Sequence, residues 1–506
     1  LDNRIQLMEK PMRALIPLLL LLAGPVFAAD TASAPSTRPN ILFLLADDWG
    51  WPHASCLGDP VVKTATFDRI AREGVMFRNA HSASPSCSPS RAAILTGQWP
   101  YRLDQGASLL TFLPARFAVY PDLLEKAGYF VGETGKGYAP GKWPDWKHNP
   151  AGVTYPNFDA FLAKRPKGAP FCYWFGSHHP HRPYELGCGV KSGMDPLKVL
   201  VPPYLPDSPA VRSDICDYYF NVQTYDQEES GSIIAALEKT GELQNTLIVM
   251  TGDNGWPFPR CKATNYDTGT HQTLAIRWGG KIKPGRMVDD FVSLADLAPT
   301  FLEAAGVPVP SDMTAHSLMP LLLADGSGQI DPSRDHVLTL METHVPCREL
   351  EDGERGGYPR RTIITRDFHY IRNFHSERWP AGDPNGFEKP GAQPATFEQL
   401  MKDTFVAYAD IDASPSKAFL VTNREEPSVK PKADAVLGKH PARELYDLTK
   451  DPEELVNVAE DPAYAGQVAA LDARLMAELK ASNDPRATGD DPDRFDRYNG
   501  ESGGKP

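Results

Sequence analysis

Residues 40–46, Asn-Ile-Leu-Phe-Leu-Leu-Ala, form a nearly continuous apolar run that stops abruptly at Asp47-Asp48. A second run, 246–251, stops in the same way at Asp253-Asn254. Short apolar runs without alternation predict strands buried on both faces. Around them lie helical stretches punctuated by glycine: 67–73 before Gly74, 89–96 before Gly97, 120–127 before Gly128, and a long periodic segment, 214–239, before Gly241. Residues 171–175 read as an aromatic strand. This alternation predicts an α/β fold with a large, mostly parallel central sheet flanked by helices.

After about residue 331 the pattern changes. Residues 336–340 and 361–371 are short strand-like pieces between polar loops, 422–440 reads as loop, and 461–482 contains an Ala/Leu-rich helix. The expectation is a smaller C-terminal α+β subdomain carrying an antiparallel sheet. The chain then divides into a leader (1–28), a linker (29–38), a main domain (39–330), the subdomain (331–482) and a loose polar tail (483–506). No internal repeat is visible.

At the N-terminus, Lys10 and Arg13 precede an apolar run at 14–27, with Val26 and Ala28 at −3 and −1 of a cut after Ala28. This is the layout of a secretory signal peptide and predicts a secreted or periplasmic protein. The run is short for a membrane span, and no other run approaches the required length, so no span is expected. The 506 residues carry 52 Lys+Arg against 65 Asp+Glu, a net charge of −13. That balance argues against nucleic acid as a partner, which needs a broad basic surface. It leaves room for a small anionic substrate held by a few local cations. Seven cysteines leave at least one unpaired, and Cys87 is the best candidate.

The candidate chemistry starts at the strand ends. In open α/β sheets, ligand sites lie outside the carboxyl ends of the strands. Asp47, Asp48, Asp253 and Asn254 all offer oxygen donors, which suit a hard cation such as Ca²⁺ or Mg²⁺. Either pair alone would more readily be read as a turn cap; two pairs after matched runs favour convergence. Cys87, in Ser86-Cys87-Ser88-Pro89-Ser90-Arg91, opens a helix, where outward N–H groups favour a reactive thiol. Arg91 follows one turn later, placed to pair with an oxyanion. A buried structural cysteine with a surface arginine is the alternative. Residues 132–137 lack the spacing of a phosphate loop, and His178, His179 and His181 lack the companion ligands of a zinc site.

Cys87-Ser88-Pro89-Ser90-Arg91, continued by Ala92-Ala93-Ile94-Leu95-Thr96-Gly97, resembles the signature of the formylglycine-dependent sulfatases, within the alkaline-phosphatase-like superfamily. The resemblance implies that a separate formylglycine-generating maturase oxidises Cys87 to formylglycine. It also implies a metal site of Asp47, Asp48, Cys87, Asp253 and Asn254 around Ca²⁺, with Mg²⁺ as the alternative. Arg38-Pro39-Asn40-Ile41 and Asp253-Asn254-Gly255 are similar to the family's two metal-binding strands. Thr134-Gly135-Lys136, Pro180-His181 and Lys262 match its sulfate-binding segments. The sequence Glu444-Leu445-Tyr446-Asp447-Leu448, followed by Asp451-Pro452 and Asn457, resembles its C-terminal signature. Segments 195–202 and 253–259 resemble the N-sulfatase branch.

By this resemblance Cys87, Arg91, Lys136, His181 and Lys262 are catalytic, and Lys136, His181 and Lys262 also bind substrate. Tyr138 and His344 are further candidates for lining the pocket. Tyr138 stands where the family usually has a histidine, and a phenol of reference pKa about 10 is a weak proton acceptor at neutral pH. Tyr138, His148 or a water must take that proton. The implied activity is hydrolysis of a sulfate ester or N-sulfate of a sulfated carbohydrate. Alternatives are a phosphomonoester or phosphonate-ester hydrolase on the same scaffold, and an unmatured protein that only binds sulfated glycans.

Overall fold

The two apolar runs lie side by side in the middle of the molecule. In a computed structural model, which describes residues 38–351, 353–386 and 393–496, every residue of β1 (Asn40–Ala46) and β6 (Thr246–Gly252) is buried. Side chains alternate between the faces of a strand. Ile41, Phe43, Leu45, Leu247 and Val249 therefore enter one core, and Leu42, Leu44, Ala46, Ile248 and Met250 enter the other. The predicted leader and nearly all of the linker lie outside the described residues.

β1 and β6 belong to an eight-stranded sheet of order β4-β3-β5-β1-β6-β7-β2-β8. The other members are β2 (Val75–His81), β3 (Phe130–Gly135), β4 (Val153–Thr154), β5 (Phe171–Gly176), β7 (His271–Trp278) and β8 (Arg286–Ser293). Only β7 runs antiparallel to its neighbours; the other pairings are parallel. The expected α/β class with a mostly parallel sheet is therefore present.

The predicted helices form as α1 (Ala65–Glu73), α2 (Cys87–Thr96) and α3 (Tyr120–Lys126). α2 begins at Cys87, two residues before the expected start. Pro89 is tolerated in that first turn because N–H groups there have no intrahelical acceptor. Gly97, at φ +62°, closes α2 by donating its N–H to Ala93 O at 2.8 Å. The long periodic segment is helix Pro209–Gln223 continued by Gly231–Thr240, joined by a π-helical stretch, Thr224–Ser230. That stretch presents Asp226 to the start of α1, where it accepts from Thr66 N at 3.0 Å and Phe67 N at 2.8 Å. The cap of α1 thus comes from 160 residues away.

The C-terminal region carries the expected antiparallel sheet, in the order β14-β13-β12-β9. Its strands are β9 (His336–Met341), β12 (Arg360–Thr365), β13 (Phe368–Asn373) and β14 (Arg443–Asp447), beside a ribbon of β10 (Arg348–Glu349) and β11 (Arg355–Gly356). Helix Ala465–Ala481 lays Val468, Leu471, Leu475 and Leu479, at helical spacing, over Leu338, Leu340, Ile363 and Tyr370. The described residues form one compact unit, so the small sheet is joined to the large one.

Two expectations are corrected. Part of 422–440 is helix Lys430–Leu437, which buries Ala433, Val436 and Leu437. The tail is not loose through residue 496. Asp484 is fully buried against Arg361, and Arg486 pairs with Glu342 at 2.8 Å. A polar composition concealed this because Asp484 and Arg486 find Arg361 and Glu342 more than 100 residues away. All seven cysteines are free thiols. Among the described residues no helix is long and apolar enough to cross a membrane.

Candidate active site

β1 and β6 pair in parallel and in register, Asn40 opposite Thr246 through Ala46 opposite Gly252. Both strands therefore end on the same rung, and the next residues, Asp47-Asp48 and Asp253-Asn254, emerge together. Asp253 N donates to Ala46 O at 3.2 Å, extending the ladder by one bond. Asp48 adopts φ +70°, turning the chain so that its own N–H meets Asp253 Oδ1 at 3.0 Å. Asn254 Nδ2 donates to Asp48 Oδ1 at 2.8 Å. Asn254 Oδ1 is buried with no hydrogen-bond partner.

The start of α2 closes the cluster. Cys87 Sγ lies 3.5 Å from Asp47 Oδ1 and 3.8 Å from Asp48 Oδ1. One ligand-type atom each from Asp47, Asp48, Cys87 and Asp253 falls within 4.8 Å of the others. Ser90 Oγ, one turn on, donates to Asp253 O at 2.5 Å and ties the helix to the end of β6. All ten residues of α2 are buried.

Four cationic or ring groups surround these acids. Arg91 Nε donates to Asp253 Oδ2 at 2.7 Å and Nη1 to Gly137 O at 2.8 Å, while Nη2, 3.6 Å from Asp47 Oδ1, has no hydrogen-bond partner. Lys136 Nζ bonds Asp47 Oδ2. Lys262 Nζ donates to Asp48 Oδ2 at 2.7 Å. His181 Nε2 stands 3.9 Å from the same oxygen, with Nδ1 donating to Arg182 O. Asp47, Asp48, Cys87, Asp253, Asn254, Arg91, Lys136, Lys262 and His181, scattered over 216 residue positions, thus share one place.

Burial pushes the Asp47 carboxyl up, but Lys136, His181, Arg91 and Lys262 together hold it well below the usual carboxylate range. Asp253 moves the other way: burial, with Asp47 and Asp48 nearby, raises it despite Arg91. Three buried carboxylates with one unpartnered amide oxygen form an oxygen-donor set suited to a hard divalent cation, so these residues fit such an ion. The expectation of a reactive thiol is corrected. Burial raises Cys87 well above the ordinary thiol value; Lys136 and Lys262 pull it down, but Asp47 and Asp253 oppose them.

Other predicted residues lie elsewhere or act indirectly. The ring of Tyr138 is fully buried in an apolar core cluster and packs against Gly141. Its hydroxyl has no hydrogen-bond partner, and burial raises its pKa further. Tyr138 therefore does not line the site, and it cannot take a proton there. His148 bonds Asn149 O and has Asp122 and Glu133 as its charged neighbours. His344 is buried at the base of the site, its Nδ1 2.8 Å from Ser86 Oγ, the residue before Cys87. Burial pushes it down to about 4, so the ring is neutral. His179 pairs with Asn221, and the three neighbouring histidines do not converge on a metal position.

The sequence reading missed Asp412, and it weighed His178 only as a zinc ligand. His178 is exposed at the end of β5, where burial of part of its ring and the charges of Lys136 and Arg91 lower its pKa. Asp412, from the C-terminal region, reaches Lys262 Nζ at 3.2 Å. Asp412 belongs to no motif, and only the fold brings it to this place.

A family model described as Sulfatase matches residues 39–150 and 138–307. Human N-sulphoglucosamine sulphohydrolase is 28% identical over 517 residues, covering 88% of this chain and 91% of its own. N-acetylglucosamine-6-O-sulfatase of Bacteroides thetaiotaomicron is 26% identical over 535 residues, covering 81% and 94%. A protein solved in complex with D-glucosamine-2-N,6-O-disulfate superposes with a TM-score of 0.62 at 20% identity, over 90% of this chain and 99% of the other. The phosphonate monoester hydrolase of Silicibacter pomeroyi superposes with a TM-score of 0.64 at 18% identity, over 88% and 96%. These last two likenesses bear on the fold, which is that of sulfatases and their alkaline-phosphatase-like relatives. The family match spans the two strand ends, the start of α2, Lys136, His181 and Lys262, and it places this chain in the sulfatase family, as a sulfuric ester hydrolase.

Proposed function

We propose that the protein removes sulfate from a sulfated glycan, with an N- or O-sulfated glucosamine as the substrate class. The observation that carries this reading is the buried cluster of Asp47, Asp48, Asp253, Asn254 and Cys87 ringed by Arg91, Lys136, Lys262 and His181. The relatives named for N-sulphoglucosamine and N-acetylglucosamine-6-O-sulfate support the sugar. In this reading Cys87 is matured to formylglycine by a separate enzyme, and the protein works outside the cytoplasm, as its leader suggests.

Asp47, Asp48, Asp253, Asn254 and residue 87 would hold Ca²⁺ or Mg²⁺, which when bound supplies positive charge against the sulfate oxygens and a lowered pKa for a bound hydroxyl. Formylglycine at position 87 would supply a hydrated aldehyde, a nucleophilic hydroxyl with a second hydroxyl on the same carbon. The remaining work belongs to the chain. Lys136 and Arg91 on the Asp47 side, and Lys262 on the Asp48 side, hold the negative charge of the SO₃ group. Arg91 is fixed by Asp253 and Gly137 O, so it needs little reorganisation as charge develops. His181 stands on the open side, a third exposed. Because Nδ1–H is committed to Arg182 O, Nε2 is the atom that hands a proton to the departing oxygen or nitrogen.

The experiment is mass spectrometry of the peptide containing residue 87, from protein made with and without a maturase, alongside hydrolysis of glucosamine N-sulfate, glucosamine 6-O-sulfate, 4-nitrophenyl sulfate and 4-nitrophenyl phosphate. The expected result is an aldehyde at position 87 and sulfate release only from matured protein. Full turnover by a Cys87→Ala variant, or preference for the phosphate ester, would overturn the reading.

A further inference from the structure

A carboxylate is unexpected in a site built for an anion, yet Asp412 is held there firmly. Its Oδ2 lies 3.2 Å from Lys262 Nζ, which itself lies 2.7 Å from Asp48 Oδ2, so Lys262 stands between the two acids. The loop around Asp412 is anchored on both sides. Asp410 accepts from Val345 N at 2.9 Å and pairs with buried Arg348. Ile411 O accepts from the buried Lys417 Nζ at 2.7 Å, and Thr404 O accepts from the same ammonium at 2.9 Å. Ser414 Oγ donates to Asp412 O at 3.1 Å. Ser416 Oγ donates at 2.6 Å to Asp214, the partner of Arg182, which follows His181. Asp412 is thus fixed relative to both Lys262 and His181.

The surroundings indicate what Asp412 faces. Asp47, Asp48, Asp253 and Arg91 have side-chain exposures of 2% or less, whereas Asp412 is 19% and His181 34% exposed. The SO₃ group belongs at the closed end, among the cations. The organic part of the substrate must leave through the open end, past His181 and Asp412. Apart from its bond to Lys262, the Asp412 carboxylate has no side-chain hydrogen bond among the described residues, so it retains acceptor capacity. An ionised carboxylate only accepts hydrogen bonds, and it repels a second anion.

We infer that Asp412 is a specificity-determining residue: it accepts a hydrogen bond from a hydroxyl or N–H of the sugar beside the sulfated position, and it disfavours a second sulfate there. This rests on the reading of the protein as a glycan sulfatase. A site built to bond a substrate hydroxyl discriminates strongly against a substrate that lacks it, because its own polar group is left unpaired.

The test measures kcat and KM for matured wild type, Asp412→Ala and Asp412→Asn. The substrates are 4-nitrophenyl sulfate, the monosulfated glucosamine that wild type cleaves, and the same sugar with a second sulfate on the adjacent hydroxyl. Loss of the bond in Asp412→Ala is expected to lower kcat/KM on the monosulfated sugar about tenfold more than on the aryl sulfate. Asp412→Asn, which keeps an acceptor without charge, is expected to restore most of the sugar preference and to raise relative turnover of the disulfated sugar several-fold. Equal losses on sugar and aryl sulfate in both variants would show that Asp412 only supports Lys262, and would overturn this assignment alone. Wild-type turnover of aryl sulfate with neither sugar cleaved would overturn the glycan reading as well.

Discussion

Asn254 Nδ2 donates to Asp48 Oδ1 at 2.8 Å, while the oxygen of the same amide is buried without a hydrogen-bond partner. Such an orphan acceptor is costly unless something electropositive meets it. With Asp47, Asp48 and Asp253 beside it, a divalent cation would satisfy that oxygen.

Divalent ions are therefore expected to stabilise the fold. Binding at a hundred times Kd contributes about 2.7 kcal/mol. Calorimetry should show a higher Tm in Ca²⁺ than in chelator, with the difference reduced in Asn254→Ala. Identical melting curves in Ca²⁺ and chelator would refute the site.

Tyr138 replaces the family's usual histidine, but its hydroxyl is buried and unpaired. Removing an unsatisfied buried hydroxyl is neutral or stabilising, by up to about 1 kcal/mol. Tyr138→Phe is accordingly expected to retain sulfatase turnover across the pH range and to melt at the same temperature or slightly higher. A large fall in kcat would return Tyr138 to the proton-transfer step.

Lys417 is fully buried, and burial pushes it down to about 8 from 10.5. Its folded pKa lies below its unfolded value, so the unfolded chain binds more protons between pH 8 and 10.5. Stability from this group therefore rises with pH across that window. Relative to Lys417→Met, wild type should gain up to about 3 kcal/mol from pH 8 to 10.5. Urea melts of both proteins at several pH values check this, and a constant gap counts against it.

The buried charges of the tail are expected to bear on global stability. Arg361 bonds both Asp484 and Glu342, and Arg486 bonds Glu342 and Asp496. Breaking a buried pair leaves a charge uncompensated, at a cost of about 3–5 kcal/mol. Asp484→Ala should lower the denaturation midpoint accordingly, whereas a change on the exposed face of helix Ala465–Ala481, such as Gln467→Ala, should have a smaller effect.

Local patterning determined much of this protein. The apolar runs at β1 and β6, the glycine stops of α1, α2 and α3, and the motif around Cys87 are legible because each depends on neighbours in sequence: strand burial, helix termination, a contiguous signature. The acidic pairs were also legible as strand-end residues, since a parallel sheet delivers its strand ends to one edge. What the tertiary structure decided depends on distant partners. The in-register rung of Ala46 and Gly252 set Asp47-Asp48 beside Asp253-Asn254, and burial, which the position at a helix start does not reveal, raises the Cys87 thiol. The core took Tyr138 out of the site. Asp226 capped a helix 160 residues away, the polar tail found its arginine, and Asp412 reached Lys262. Hydrogen bonds and ion pairs act over a few ångströms in space regardless of chain distance, so composition and spacing along the sequence carry no record of these pairings.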